Sequence, residues 1–396
     1  GDLVPPPTPA AQRAVHDADG PCAQSAMGAH SLCNHGKGGE NQDSYVASSS
    51  SSGTKALIGV FDGHGEQGKR VSQFASEQIT RNLFSHKELH TNPASALESA
   101  FLQAQLMIER THSFDAYHSG TTAISAYRHR NRLYIANVGD SRAVLGCSQG
   151  GGRGGQTLTA VDLSSDQRPD REDERSRILA QGGNIHASCV PVRQSFGGPV
   201  RLMRVGPDRV WDRTGRCGLC VTRSLGDLGM RPYVVANPEV SERTLSPRDK
   251  LIILGSDGVW DRLASQEAVD IAARHRDPAA AAREITSLAR QRWHAQTQGQ
   301  MSDDITAVVM QLEHGGSQPA LGPPAAGPER GVGLVSLPST APSGRRGRGR
   351  PEDVGRSKSN ESAMKGRLAN ASGRYLEALR PPSTSSDRQL INGEQA

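Results

Sequence analysis

Five aspartates of this chain stand at the ends of short apolar runs. Asp62 closes ALIGVF at 56–61, Asp140 follows the run 133–138 after one glycine, and Asp257 follows 251–254 after Gly255-Ser256. Asp303 instead precedes the run 305–312, and Asp43 stands before Ser44-Tyr45-Val46. Apolar, β-branched runs of this length read as strands. Taken singly, an acid at a strand end is an ordinary turn former or helix cap. If 305–312 runs antiparallel to a strand that ends in one of the other acids, its entry and their exits fall on one sheet edge. Carboxylates gathered on one edge repel each other unless a cation neutralises them. Ligation by oxygen alone suits a hard ion such as Mg²⁺ or Mn²⁺ rather than zinc. No HExxH pair or tight Cys/His cluster offers a rival site.

The stretch after Asp62 allows a second chemistry. Gly63-His64-Gly65-Glu66-Gln67-Gly68 fits G-x-G-x-x-G, and with Lys69 it also fits most of a P-loop. Either motif would hold phosphate on the amides of a helix N-terminus. Asp62 would repel that phosphate, and Arg70 occupies the place of the P-loop hydroxyl. No acid follows a second strand at ribose-binding distance in a βαβ unit. The glycine run 150–155 matches as well, but a strand follows it. The metal reading is therefore the one carried forward.

The elements that must position these groups are legible in outline. Helical spacing places Val71, Phe74, Ala75, Ile79 and Leu83 on one face. Asn92-Pro93 opens a second helix that carries Leu97, Phe101, Ala104 and Ile108. Runs at 121–128, 132–138 and 143–146 read as a meander, followed by a glycine-rich hairpin loop at 150–155 and a strand at 158–163. Pro169-Asp170 opens a charged helix that stops at Gly182-Gly183. Residues 184–216 show no period and read as an irregular flap. Strands are expected at 219–222, 234–236 and 251–254, with helix caps at Ser265 and Asp277.

Composition bounds the rest. Of 396 residues, 46 are Lys or Arg and 41 Asp or Glu; twelve of the basic and seven of the acidic ones lie in 315–396, so the excess of +5 belongs to the tail. A global nucleic-acid-binding surface is not implied. The expected organisation is a leader at 1–20, one globular domain at 21–314, and a disordered basic tail at 315–396. Within the tail, RRGRGRP from Arg345 to Pro351 resembles a minor-groove hook or a nuclear-import patch, and reads equally as a solvated linker. Nucleic acid would be reached, if at all, through that run. Six cysteines in a chain this long form no disulfide framework, and Cys217-Gly218-Leu219-Cys220 reads as plain buried cysteines. No apolar run is long enough to span a membrane, and no leader with a charged then apolar segment is visible. The expectation is an intracellular monomer, cytoplasmic and/or nuclear, without a membrane partner.

With these residues collected, the chain resembles the metal-dependent serine/threonine protein phosphatases of type 2C. The motifs are ENQDSY from Glu40, VFDGHG from Val60, SGTTA from Ser119, ANVGDSRAVL from Ala136 and LSSDQRP from Leu163. They continue with VTRSLGD from Val221, NPEV from Asn237, LGSDGVWD from Leu254 and DDITAVVM from Asp303, in the family's order across about 25–313. The resemblance implies an α+β fold, an α-β-β-α sandwich of two antiparallel sheets flanked by helices. It implies hydrolysis of phosphoserine and phosphothreonine in proteins, by a water that bridges two Mg²⁺ or Mn²⁺ ions. Asp62 would bridge both ions and act in catalysis, with the Gly63 carbonyl on one ion. Asp257 and Asp303 would bind the other, and Asp43 would ligate directly or through water. Asp140 matches a position associated with a third, weaker ion. His64 would protonate the leaving alkoxide as general acid, or else only orient ligands.

Two departures from the family pattern stand out. Gln42 replaces a Glu common before the acid at Asp43, which implies a less negative, wetter shell. The family's upstream substrate-phosphate Arg has no clear match, and Lys37 is the nearest cation. Substrate selection is expected in the 184–216 flap. The alternatives to a phosphatase are an inactive binding protein of the same fold and a tail-directed DNA-associated regulator.

Overall fold

The computed structural model describes residues 25–36, 38–50, 54–149, 157–193 and 200–312. The leader, the tail with its Arg345–Pro351 run, and the glycine loop at 150–155 lie outside them.

Alternation along each strand builds the layers. In Lys55–Phe61, Ala56, Ile58 and Val60 face one way, whereas Leu57 and Phe61 face the other; all are buried. The run is therefore apolar throughout rather than alternating with polar residues, as a strand covered on both faces must be. Lys55–Phe61 lies in an antiparallel sheet of order Glu239–Thr244, Arg132–Val138, Ala123–His129, Lys55–Phe61, Ser44–Ser49. A second antiparallel sheet has the order Met27–Leu32, Ile305–Gln311, Asp249–Gly255, Arg142–Ser148, Leu158–Asp162. Ile58, Val60 and Ile124 of the first pack on Leu145, Ile252, Leu254 and Val308 of the second, which makes the inner core. Burying each such side chain contributes about 1.5–3 kcal/mol. A one-residue register slip would turn Ile58 and Val60 outward, so the register is firmly set.

Helices cover both outer faces. Helices α1 (Gly68–Ser85) and α2 (Pro93–Arg110) lay Val71, Ile79, Leu97 and Phe101 over Leu57, Phe61 and Tyr127. Asn92 caps α2 by accepting from Ser95 N at 3.2 Å, with Pro93 at the first helical position. The charged helix is α3 (Glu172–Ala180). On the far side, α4 (Asp257–Trp260), α5 (Ser265–Ala273) and α6 (Pro278–Gln296) pack Trp260, Val269 and Ile285 over Val144, Ile253 and Val309. The result is the α-β-β-α sandwich, with the expected α1–α2 pair laid over one sheet.

Four expectations need correction. The run at 143–146 does not continue a meander: Arg142–Ser148 pairs with Asp249–Gly255 and Leu158–Asp162 in the second sheet. Gly139-Asp140-Ser141 makes the crossing, and nothing in a strand's own composition tells which sheet it will join. Residues 184–216 are not irregular. Asn184–Arg193 and Val200–Trp211 pair antiparallel through ten positions. Ile185 and Val210 at its base pack with Ile178 of α3 and with Met230, but Leu202 and Met203 farther out are exposed, so burial imposes no continuous period on it. Residues 234–236 form no strand; Val235 makes one isolated bridge with Arg223. Ser265 is the first helical residue of α5 rather than its cap, and Glu267 accepts from Ala264 N at 3.1 Å.

Candidate active site

Sheet pairing carries the aspartates to one end of the sandwich. Ser44 pairs with Phe61, so Asp43 enters its strand beside the point where Asp62 leaves the neighbouring one. Gly255 pairs with Ala307, so Asp257, just past one strand, lies near Asp303 and Asp304, just before the other. Asp140 sits in the crossing between the two sheets. Both sheets thus deliver acids to the same edge, the arrangement that an antiparallel 305–312 strand required.

The charges interact strongly. Loss of solvation and then the neighbouring Asp43, Asp257, Asp303 and Asp140 push the Asp62 carboxyl well above the usual range. Burial, followed by Asp140 and Asp303, does the same to Asp257. Asp43 is pushed up to about 7 by burial, with Asp304 and Asp303 adding to it. Its Oδ2 accepts from Ser256 Oγ at 2.9 Å, whereas the buried Oδ1 has no hydrogen-bond partner among the described residues. Burial lifts Asp140 to about 6 although Arg168 Nε, 2.9 Å from its Oδ2, works the other way.

These shifts predict an unusual pH dependence of the metal-free fold. A carboxyl with a raised folded pKa binds more protons folded than unfolded, so stability falls as pH rises. For Asp43 and Asp140 the loss runs from their unfolded pKa of about 4 up through about 7 and about 6. Urea midpoints of the chelated protein should fall between pH 4 and 7, and excess Mg²⁺ should flatten the slope. A flat midpoint in chelator would contradict the clustering of charge.

His64 is held by a small sheet of its own. Gly63–His64 pairs with Gly120–Thr121, which pairs on its other side with Leu225–Gly226. His64 and the residue after Gly226, Asp227, therefore flank Gly120. His64 Nε2 lies 2.7 Å from Asp227 Oδ2. A Cβ on Gly120 would stand 2.0 Å from that oxygen and 2.8 Å from Nε2, so only glycine fits beneath the pair. Burial disfavours the imidazolium, but the Asp227 carboxylate outweighs it and holds the His64 pKa above its ordinary value.

The matches with known proteins accord with this architecture. The family model described as protein phosphatase 2C matches residues 25–297. The chain belongs to the protein phosphatase 2C family. It is 32% identical over 283 residues to "Probable protein phosphatase 2C 52" of Oryza sativa subsp. japonica, covering 70% of this chain and 49% of that protein. To "Probable protein phosphatase 2C 35" of Arabidopsis thaliana it is 34% identical over 294 residues, covering 69% and 79%. The chain thus spans about half the length of the first relative and about four fifths of the second. Among solved structures, the serine-threonine phosphatase 2C from Toxoplasma gondii superposes with a TM-score of 0.58 at 21% identity, covering 74% of this chain and 97% of that one. A C. elegans sex determining protein gives 0.56 at 20% identity, covering 74% and 65%. At these identities the two structures speak for the fold.

The protein phosphatase 2C family is metal-dependent, and the donor set here fits a hard cation: crowded carboxylates, one with a buried oxygen that has no partner among the described residues. Among the described residues, Asp173, Glu174 and Glu239 bring three carboxylate oxygens within 4.8 Å of one another, and no three of the cleft aspartates come that close. Arg171, Arg177 and Arg223 neutralise the tighter group, which is an ion-pair network.

Lys37 lies outside the described residues. Two other cations border the acids: Lys69 donates from Nζ to the Asp43 carbonyl at 2.7 Å, and Arg168 joins Asp140 to Asp261, each at 2.9 Å. Lys69 is the lysine of the P-loop-like run, here turned to a backbone carbonyl, and Arg168 belongs to the LSSDQRP motif. Gln42 has a structural role. Its side-chain amide donates to the Gly65 carbonyl at 2.7 Å, bracing the turn after Asp62, which a glutamate could not do. Cys217 and Cys220 are free thiols, half-buried rather than fully buried.

Proposed function

We propose that the chain is a Mg²⁺- or Mn²⁺-dependent phosphatase of phosphoserine and phosphothreonine in proteins. What supports the reading most is the delivery of Asp43, Asp62, Asp140, Asp257 and Asp303 from two sheets to one edge, beside a histidine held by its own carboxylate. Asp62, the Gly63 carbonyl, Asp257 and Asp303 would hold two ions, directly or through water, with Asp43 behind them on Ser256. Two divalent ions would supply an acidified water and neutralise charge on the phosphoryl group. A third at Asp140 would have to displace the Arg168 guanidinium.

In the reaction one P–O bond forms to the water oxygen as the bond to the seryl or threonyl oxygen breaks. His64, whose imidazolium form the Asp227 carboxylate favours, would give its proton to that leaving oxygen and be reprotonated from solvent. A general acid of this kind contributes about 10²–10⁴-fold. The test is phosphate release from phosphothreonine peptides: turnover with Mg²⁺ or Mn²⁺, abolished by chelation, is the expected result. Hydrolysis unchanged in excess chelator overturns the proposal.

A further inference from the structure

We infer that Asp227 is the positioning residue of the acid catalyst, and that the proton leaves from His64 Nδ1. This deepens the phosphatase reading and rests on it.

Asp227 is separated from His64 by 163 positions, yet its carboxylate has no other evident use. It is 1% exposed. Its Oδ2 accepts from His64 Nε2 at 2.7 Å and from the buried Ser224 hydroxyl. Its backbone is in the left-handed region, φ 47° and ψ 44°, costly for a residue other than glycine. That conformation is fixed by Asp227 N donating to Ser119 O at 3.0 Å, next to the glycine that the pair straddles. A strained, buried acid reached through its own strand pairing is a device for placing one carboxylate oxygen. A carboxylate only accepts, so His64 Nε2 carries hydrogen. Among the described residues Nδ1 makes no hydrogen bond, and it is the nitrogen left to substrate. The ring is thus used with Nε2 anchored and Nδ1 reactive.

Asp227→Asn is the informative variant, because Asn tolerates the left-handed region and keeps the shape while losing the charge. The assays use the full chain with a phosphothreonine peptide, whose alkoxide leaving group needs a proton, and with p-nitrophenyl phosphate, whose phenolate does not. We expect kcat on the peptide to fall about 10²-fold, the low end for a general acid, and kcat on the aryl ester to change less than about threefold. Combined with His64→Gln, the loss on the peptide should match that of His64→Gln alone, because the two act as one unit. Equal losses on both substrates, or additive losses in the double variant, overturn the inference. Independently, ¹⁵N spectra of the substrate-free wild type at a pH where the ring is neutral should show hydrogen on Nε2. Asp227→Asn should lose that preference, and a wild-type ring with hydrogen on Nδ1 also overturns it. A wild type inert toward both substrates overturns the phosphatase reading, while the spectrum still decides the Asp227 pairing.

Discussion

Replacing Asp62 by Asn is expected to abolish turnover and, at the same time, to stabilise the metal-free protein. Asp62 follows the strand Lys55–Phe61 into the cleft, where Asp43, Asp257, Asp303 and Asp140 all raise its pKa. Without a cation its charge is a liability, so a neutral isostere removes repulsion. A gain of each 1 kcal/mol would raise the melting temperature by about 2–4 °C in a domain of this size. With metal the sign reverses. An ion at one hundred times its dissociation constant stabilises by about 2.7 kcal/mol, and most of that gain should disappear when a carboxylate proposed to hold the metal is gone. Activity should fall by more than about 10³-fold, the equivalent of ~4 kcal/mol in the barrier. Melting curves with and without Mg²⁺, beside phosphate release, read both arms. An Asp62→Asn protein that keeps the wild-type metal-induced shift would show that the ions lie elsewhere.

That expectation could be framed from sequence because strand ends are local features. ALIGVF followed by Asp, and Asp-Asp followed by ITAVV, announce where each strand stops or starts, and antiparallel pairing then brings those ends together. The site's second half was hidden for a physical reason. Asp227 follows a two-residue strand, Leu225–Gly226, too short to leave a periodic signal, although SLGD was visible as a motif. Its partnership with His64 exists only because Gly120–Thr121 pairs with both flanking strands. Arg168 was likewise visible in SSDQRP, but its contact with Asp140 depends on the chain crossing between sheets. The hairpin Asn184–Arg193/Val200–Trp211 escaped because only its base is packed and its outer part, with Leu202 and Met203, is exposed, which leaves no continuous burial pattern; the assignment of Arg142–Ser148 to the second sheet escaped because pairing partners are not encoded locally. Gln42 illustrates a finer limit: the lost charge of Gln for Glu is legible in the sequence, whereas the hydrogen bond its amide donates to the Gly65 carbonyl depends on the fold of the turn after Asp62.

Replacing Glu174 by Gln is expected to cost about 3–5 kcal/mol of stability, the range for breaking a buried ion pair from one side. Glu174 is 1% exposed, in the first turn of α3. Its Oε1 accepts from Arg223 at 2.7 Å and its Oε2 from Arg177 at 2.9 Å. Arg177 also donates to the carbonyls of Tyr233 and Thr222, and Arg223 to that of Asn237. One carboxylate thus fastens α3 to the 222–237 segment that carries Asp227. Burial opposes its ionisation, but the hydrogen bonds from Arg223 and Arg177 prevail and hold its pKa down at about 2. The folded pKa lies below the unfolded one of about 4.3, so the contribution is complete above that value and vanishes as pH falls through about 2. Urea unfolding at pH 7 should separate wild type from Glu174→Gln by the full amount, and the gap should narrow steadily below pH 4. Removing a second charge as well, as in Glu174→Met with Arg223→Met, should cost less than removing the carboxylate alone, because one fewer guanidinium, Arg177 rather than both, is left without its carboxylate. A single variant within 1 kcal/mol of wild type at pH 7 would show that the network is spectator to the fold. A loss of activity out of proportion to stability, confined to substrates with alkoxide leaving groups, would instead show that α3 acts on His64 through the segment it anchors.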